Sequence, residues 1–439
     1  MSCATLDDRD QVSFPTPDDR DQEPSMPVRS PAPPREAPAA PRRRVSAATG
    51  FWLAAAAFAA QMGFGTAPTP LWPLYQARDG FGPTTVTVAF AIMVVGSAVS
   101  FLAIGHLSDR FGRRRAIVPA LLVAVLAAVV LTAWPALPGL LLGRLLTGVA
   151  VGLMASTATA YLHELYDRAH PGRTSAMPGV VATAANLGGL ALGPLIAGVV
   201  AEWGPTPLVT AQAVFAVTMT VMAILVLFMP ETVDVARRAR DRPARFALRT
   251  GGEAGFAASA ALGFVSFAVF GLISSLGAIM LRDQLGVTSP LVSGIAPFLM
   301  FGAAATAQIL LGSQPQGRLS LLGLLSFPSG LALVALSLHR PVLWLYLVAL
   351  VMSGAGAGLL FKVAVGWAAA VAAPHSRAGV LAVFFVISYV GMGLPAILFS
   401  LALRSFAPQV TMIGFGAVLS SAAVVALLLT RLSPVGRRR

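Results

Sequence analysis

Twelve apolar runs of about 20 residues or more dominate this chain, at roughly 49–75, 84–106, 115–134, 138–163, 174–202, 207–229, 254–280, 289–311, 318–338, 341–371, 377–404 and 408–430. Each is long enough for an α-helix to cross about 30 Å of hydrocarbon. Inside a bilayer the backbone polar groups must be satisfied by the protein itself, which restricts what such runs can become. The pattern predicts an all-α membrane protein with twelve transmembrane helices. Only 11% of residues are charged, against about 25% in a soluble domain. Phe327-Pro-Ser-Gly330 interrupts the ninth run and the tenth is unusually long. Neither argues against helix, because membrane helices tolerate proline and glycine.

The net charge of +13 raises nucleic acid as a partner. The arginines, however, sit in short loops and tails, and no basic helix with interleaved aromatics is present. The positive-inside rule accounts for them better, and no nucleic-acid partner is expected. With the N-terminus inside, the cytoplasmic segments after residue 41 hold 21 arginines and the outer loops hold 4. Both termini are therefore expected in the cytoplasm, and the protein in a bacterial inner membrane. Residues 1–46 are polar and proline-rich, and Asp7-Asp-Arg-Asp-Gln11 recurs as Asp18-Asp-Arg-Asp-Gln22. Such a segment buries too little apolar surface to offset its ordering entropy, so a disordered cytoplasmic tail is expected. It lacks the apolar core and cleavage site of a secretory signal. Residues 230–252 carry six arginines and form the expected cytoplasmic linker between two six-helix bundles, 47–229 and 253–430. A basic tail, 431–439, follows. Cys3 is the only cysteine, which excludes disulfides within one chain and cysteine-based metal sites. No metal and no cofactor are expected.

Between the second and third runs lies Gly105-His-Leu-Ser-Asp-Arg-Phe-Gly-Arg-Arg-Arg-Ala116, a tight basic turn with Asp109 as its only acid. The key positions Gly105, Asp109, Arg110, Gly112, Arg113 and Arg114 resemble the loop-2/3 signature of the major facilitator superfamily. Gly143-Arg144 followed by Gly148 and Gly152 resembles that family's span-four motif. Gly189, Gly193, Pro194 and Gly198 resemble the span-five motif of its drug/proton antiporter branch, with a departure at Ala197. Pro230-Glu231-Thr232 resembles the usual ending of span six. The resemblance implies twelve helices in two pseudo-symmetric six-helix bundles, and transport by alternating access. It also implies that Asp109 caps a helix of the other half and holds the outward-facing state. The N-terminus of span eleven, near Pro374-His-Ser-Arg377, is a suitable target, since helix N-termini attract anions. Arg113 has Glu164 and Asp167 as possible partners at the inner end of span four. Together these groups would form a conformational latch. The halves echo one another weakly: Gly148 and Gly152 parallel Gly354, Gly356 and Gly358, and Gly189, Gly193 and Pro194 parallel Gly391, Gly393 and Pro395. The loop signature has only a degenerate echo at Gly312-Ser-Gln-Pro-Gln-Gly-Arg318, without an acid. Small residues at four-residue spacing let membrane helices approach closely, so the spaced glycines read as packing and kink positions.

Two cations fall well inside the runs rather than at their ends, Arg144 and Lys362. A charge at bilayer depth costs at least about 2.5–3.5 kcal/mol and by default marks an interior, functional position. Lys362 has a second reading, snorkelling toward the inner surface, and Arg144 a second one as a hub for backbone carbonyls. Every acid beyond residue 46 falls in a loop or at a helix end. Asn186, Gln212, Ser266, Ser274, Ser275, Gln308, Ser388 and Tyr389 are the deeper polar candidates, with Asn186, Gln212, Ser388 and Tyr389 grouped with the two cations as cavity or coupling residues. A cavity with two cations and no anion favours anionic or neutral, carbonyl-rich substrates. Proton coupling through a desolvated lysine or through a helix-end acid is open. Phe64, Trp72 and Tyr75 around Thr66-Ala-Pro-Thr-Pro70 read either as interfacial anchors or as an outer gate kinked by the prolines.

The expectation is a monomeric secondary active transporter that moves a small molecule across the bilayer, exporting a drug or metabolite as protons enter. An importer or facilitator of a small anionic or neutral metabolite is the alternative. A transporter-like sensor and an intramembrane enzyme stand further off, since no metal spacing, nucleophile–base arrangement or phosphate-binding glycine loop occurs.

Overall fold

The computed structural model describes residues 45–103, 111–233 and 246–432. Twelve helices among them are long and apolar enough to cross a membrane: Ala47–Asp79, Pro83–Leu102, Arg113–Ala133, Leu137–Ala169, Met177–Trp203, Pro207–Leu227, Glu253–Leu285, Pro290–Leu310, Gln316–His339, Leu343–Val371, Arg377–Ala402 and Pro408–Thr430. They are spans one to twelve below.

Span one begins at Ser46, whose hydroxyl accepts from the Thr49 amide and so satisfies one of the unpaired donors of the first turn. It breaks at its prolines into Ala47–Thr66, a short 3₁₀ turn Thr69–Leu71, and Trp72–Asp79. Pro70 lies inside the 3₁₀ turn and Pro73 in the first turn of the last piece, where a missing amide costs no helical hydrogen bond. Span nine, interrupted in sequence by Phe327-Pro-Ser-Gly330, is one continuous helix through Pro328. Span ten is likewise a single helix. Spans four and seven, at 33 residues each, run past the lengths their apolar cores require.

The twelve spans form two six-helix halves. In the first, span four packs on spans one, two and three, span five on one, and span six on three; in the second, span ten packs on spans seven, eight and nine, span eleven on seven, and span twelve on seven and nine. Glycines set the closest crossings. A Cβ on Gly148 would run into the Met93 carbonyl, and one on Gly152 into that of Ser97, so spans two and four touch backbone to backbone. Gly189 and Gly193 lie likewise against Ala59 and Gly63 of span one.

Two seams join the halves: span five against span eight, and span two against span eleven. On the first, a Cβ on Gly198 would stand 2.7 Å from the Pro290 carbonyl oxygen. The span-five motif therefore packs within its own half through Gly189 and Gly193, and across halves through Gly198. Leucines and valines with exposed side chains cover the outer faces, including Leu310 and Val217, as a lipid-facing surface requires.

Candidate functional site

A cavity of about 1130 Å³ lies between the halves. It reaches the arginine-rich end of the bundle, where Leu102, Gly179, Ala378 and Gly379 line it within three residues of their helix ends. Contacts across the halves seal the opposite end. Trp72 Nε1 donates to the Ser274 carbonyl at 3.0 Å. The hydroxyls of Thr87 and Ser400 are 3.0 Å apart. Arg282 donates to Gln76 Oε1 at 3.1 Å. Glu202 of span five accepts from the Ser289 hydroxyl at 2.8 Å and the Leu291 amide at 3.1 Å, so one half caps a helix of the other.

The two walls differ. Among the described lining residues, the first half supplies the polar Thr66, Ser97, Ser156, Thr159, Thr183 and Asn186 and two aromatic rings, Phe58 and Phe101, the latter 5.2 Å from Phe385. Most of these hydroxyls are satisfied on backbone carbonyls: Thr66 on Leu190, Ser97 on Gly148, Ser156 on Leu153 and Thr183 on Gly179. Asn186 makes no side-chain hydrogen bond to a described residue. The second half supplies six aromatic rings, Phe267, Phe270, Phe301, Phe361, Phe385 and Tyr389, with Gln308 and Lys362 beside them.

Lys362 is the single charged side chain among the described lining residues. Its Nζ donates to the Gln308 carbonyl at 3.0 Å. Gln308 lies in the last turn of span eight, where carbonyls lack helical donors and the dipole favours a cation. Gly312 leaves the space the ammonium occupies. The side chain thus leans toward the arginine-rich end, yet it remains in the cavity wall.

Arg144 does not line the cavity. It is 1% exposed, directs Nη1 and Nη2 to the Gly65 carbonyl at 3.3 Å and Nη2 to Met93 Sδ at 2.7 Å, and stands 5.7 Å from the Trp72 ring. It braces spans one, two and four one layer behind the wall. Gln212 and Ser388 are buried away from the lining, the latter donating to the Phe384 carbonyl at 2.9 Å. Of the residues grouped from sequence as cavity or coupling positions, Lys362, Asn186 and Tyr389 come together in the wall; Arg144, Gln212 and Ser388 do not. Phe64, Trp72 and Tyr75 are each 1% exposed, which removes the interfacial-anchor reading: they pack inside, at the sealed end.

At the arginine-rich end of the first half, Glu231 accepts from the Arg113 amide at 2.8 Å and the Arg114 amide at 3.1 Å. It caps span three, whose own N-cap, Gly112, has no side chain to do so. Gly112 sits at φ 108°, ψ 151°, backbone that only glycine adopts readily. A Cβ there would stand 2.7 Å from the Glu231 carboxyl carbon. Arg113 pairs with Glu164 at 3.0 Å, whereas Asp167 is exposed and forms no ion pair among the described residues. Arg168 donates to the carbonyls of Glu231 and Thr232, Arg114 to those of Leu227 and Met229, and Tyr161 to that of Pro230. Gly105, Asp109 and Arg110 lie outside the described residues.

Sequence reasoning missed the capping role of Glu231 and the aromatic wall. Glu231 carried a signal, its motif, without a stated target. The phenylalanines carried none: Phe228 is as apolar and faces outward.

Two six-helix halves around a cavity reaching one end define a membrane-embedded helical bundle of transporter architecture. The chain belongs to the major facilitator superfamily, whose family model matches residues 53–338. It is 28% identical over 134 residues to the inner membrane transport protein YnfM of Escherichia coli, covering 30% of this chain and 31% of that protein. It is 37% identical over 82 residues to the glucose transporter GlcP of Staphylococcus epidermidis, covering 19% and 18%. The matched stretches thus span less than a third of these relatives. Among solved structures, the nucleoside transporter NupG superposes with a TM-score of 0.69 at 11% identity, covering 87% of this chain and 99% of that one. The human organic anion transporter MFSD10 superposes at 0.62 and 16%, covering 88% and 100%. A bacterial homologue of the lysosomal transporter Spinster, inward-facing and unoccupied, superposes at 0.60 and 13%, covering 88% and 95%. At these identities the likeness is one of fold.

Proposed function

We propose that the protein is a secondary active transporter of the bacterial inner membrane, carrying a small molecule by alternating access. One observation carries the reading: a cavity between the halves that is open at one end and closed at the other by cross-half contacts. The positive-inside rule puts the arginine-rich end in the cytoplasm, so this state is inward-facing, with both termini cytoplasmic and 230–252 linking the halves. Export in exchange for protons is the coupling we assign, supported by the span-five motif and its seam. No described carboxylate lines the cavity; the proton carrier therefore belongs among Lys362 and the helix-end acids.

The Thr87–Ser400 contact supplies the test. Cys3 is the only native cysteine, and the two hydroxyl oxygens are 3.0 Å apart. A Cys3→Ser, Thr87→Cys, Ser400→Cys protein should cross-link on oxidation, lose flux in proteoliposomes and regain it with reductant. Undiminished flux in the cross-linked protein would sink alternating access through this cavity. Flux that runs without a pH gradient would replace export by proton exchange with facilitated passage, a reading favoured by the local similarity to the glucose transporter.

A further inference from the structure

The asymmetry of the cavity walls points to a chemical class of substrate. We propose that the cavity binds a planar aromatic organic anion, its ring on the second half and its carboxylate at Lys362. This rests on the reading of the cavity as the substrate site.

The aromatic side chains of the second half form a continuous ladder. Phe301 and Phe270 are stacked at 4.9 Å, Phe270 and Phe267 are 6.1 Å apart edge to face, Phe267 and Phe361 are 4.8 Å apart, and Phe361 and Phe385 are 6.0 Å apart. Tyr389 meets Phe267 edge-on at 5.7 Å. Phe267, Phe361, Phe385 and Tyr389 are only partly buried, so part of the ladder faces the open volume. Such a surface rewards a flat conjugated ring, because aromatic pairs gain stability beyond what area burial alone provides.

Lys362 follows Phe361 directly, so the cation stands beside the ladder. An ammonium has three donors, and one is used on Gln308. The remaining two suit a carboxylate. No described lining residue is acidic, which leaves an organic cation without a counter-charge at this depth. Across the cavity, Asn186 offers an amide without a hydrogen-bond partner among the described residues. Asn186 and Lys362 each lie nine residues from the arginine-rich end of their helices, about 14 Å along the axis. One polar anchor, Lys362, thus stands within the aromatic wall, and the other, Asn186, lies on the opposite half.

The test uses the full-length protein in lipid nanodiscs and calorimetric titration with naphthoate as probe. Three matched probes accompany it: decalin carboxylate, with the charge but no π-system; naphthalenemethanol, with the ring but no charge; and naphthylmethylamine, with the opposite charge. Naphthoate should bind about tenfold tighter than decalin carboxylate and at least about tenfold tighter than the alcohol, with the amine weakest. Lys362→Met should cost naphthoate about tenfold and leave the alcohol unchanged, while Lys362→Arg retains most of the preference. Phe267→Leu should weaken naphthoate and spare decalin carboxylate. Equal binding of the two carboxylates, stronger binding of the amine, or no binding of any probe by monodisperse protein would each overturn the proposal. Binding without flux in proteoliposomes would leave the site intact and overturn the transporter reading instead; flux of other solutes by protein that ignores naphthoate does the reverse.

Discussion

The start of span three and its counterpart, the start of span nine, occupy equivalent places in the two halves, and they are built differently. In the first half, Glu231 caps span three, Arg113 pairs with Glu164, and Arg168 ties down the end of span six. In the second half, span nine starts at Pro315 without any side-chain cap. Among the described residues the Arg318 side chain bonds only to Gln314, at 2.9 Å, and a lysine from the cavity wall reaches down to span eight. The repeated fold therefore does not need the ionic knot. Helix packing is common to both halves, and the charged network belongs to one.

Three substitution pairs would break or sharpen this contrast, each read as the thermal unfolding midpoint in detergent. The largest effect is expected at Gly112→Ala, which puts a Cβ into glycine-only backbone and against the Glu231 carboxylate, at about 3 kcal/mol. Gly317→Ala, in the counterpart helix start with open space around it, should instead be neutral or stabilise by up to about 1 kcal/mol. Equal losses at both positions would mean that the two helix starts are energetically alike. Next comes Glu231→Ala, which strips two amides of a charged acceptor and should cost about 2 kcal/mol; Gln314→Ala should stay within about 0.5 kcal/mol. A neutral Glu231→Ala would show that water replaces the cap. The smallest contrast is Arg168→Ala, at under about 1 kcal/mol for an exposed arginine, against no measurable change for Arg318→Ala.

Much of the fold can be read from the chain. The twelve runs correspond to twelve helices, and the resemblance carried by Gly112, Arg113, Gly148, Gly189 and Glu231 leads to the family. The site was less accessible. Lys362 stood out because a lysine in an apolar run is costly, and it lines the cavity. Arg144 stood out for the same reason and lies behind the wall, because desolvation flags a residue without saying which side of a helix it occupies. Asn186 and Gln212 are both amides inside apolar runs, yet only Asn186 reaches the cavity. The aromatic ladder had no signature at all, since phenylalanine suits lipid, core and binding wall alike.

The sequence by itself determined the spans, and through its arginines it determined the expected sidedness. Both follow from transfer free energies that add residue by residue along a run, with no knowledge of neighbours. The tertiary structure alone decided which helix faces meet lipid, which meet another helix and which enclose the cavity. A membrane helix is apolar on every side, so no polar stripe marks its inner face in advance. It also decided the partners. Glu231 finds the Arg113 amide 118 residues away, and Trp72 finds the Ser274 carbonyl 202 residues away. Such pairings depend on how packed helices place their ends, which no local pattern encodes.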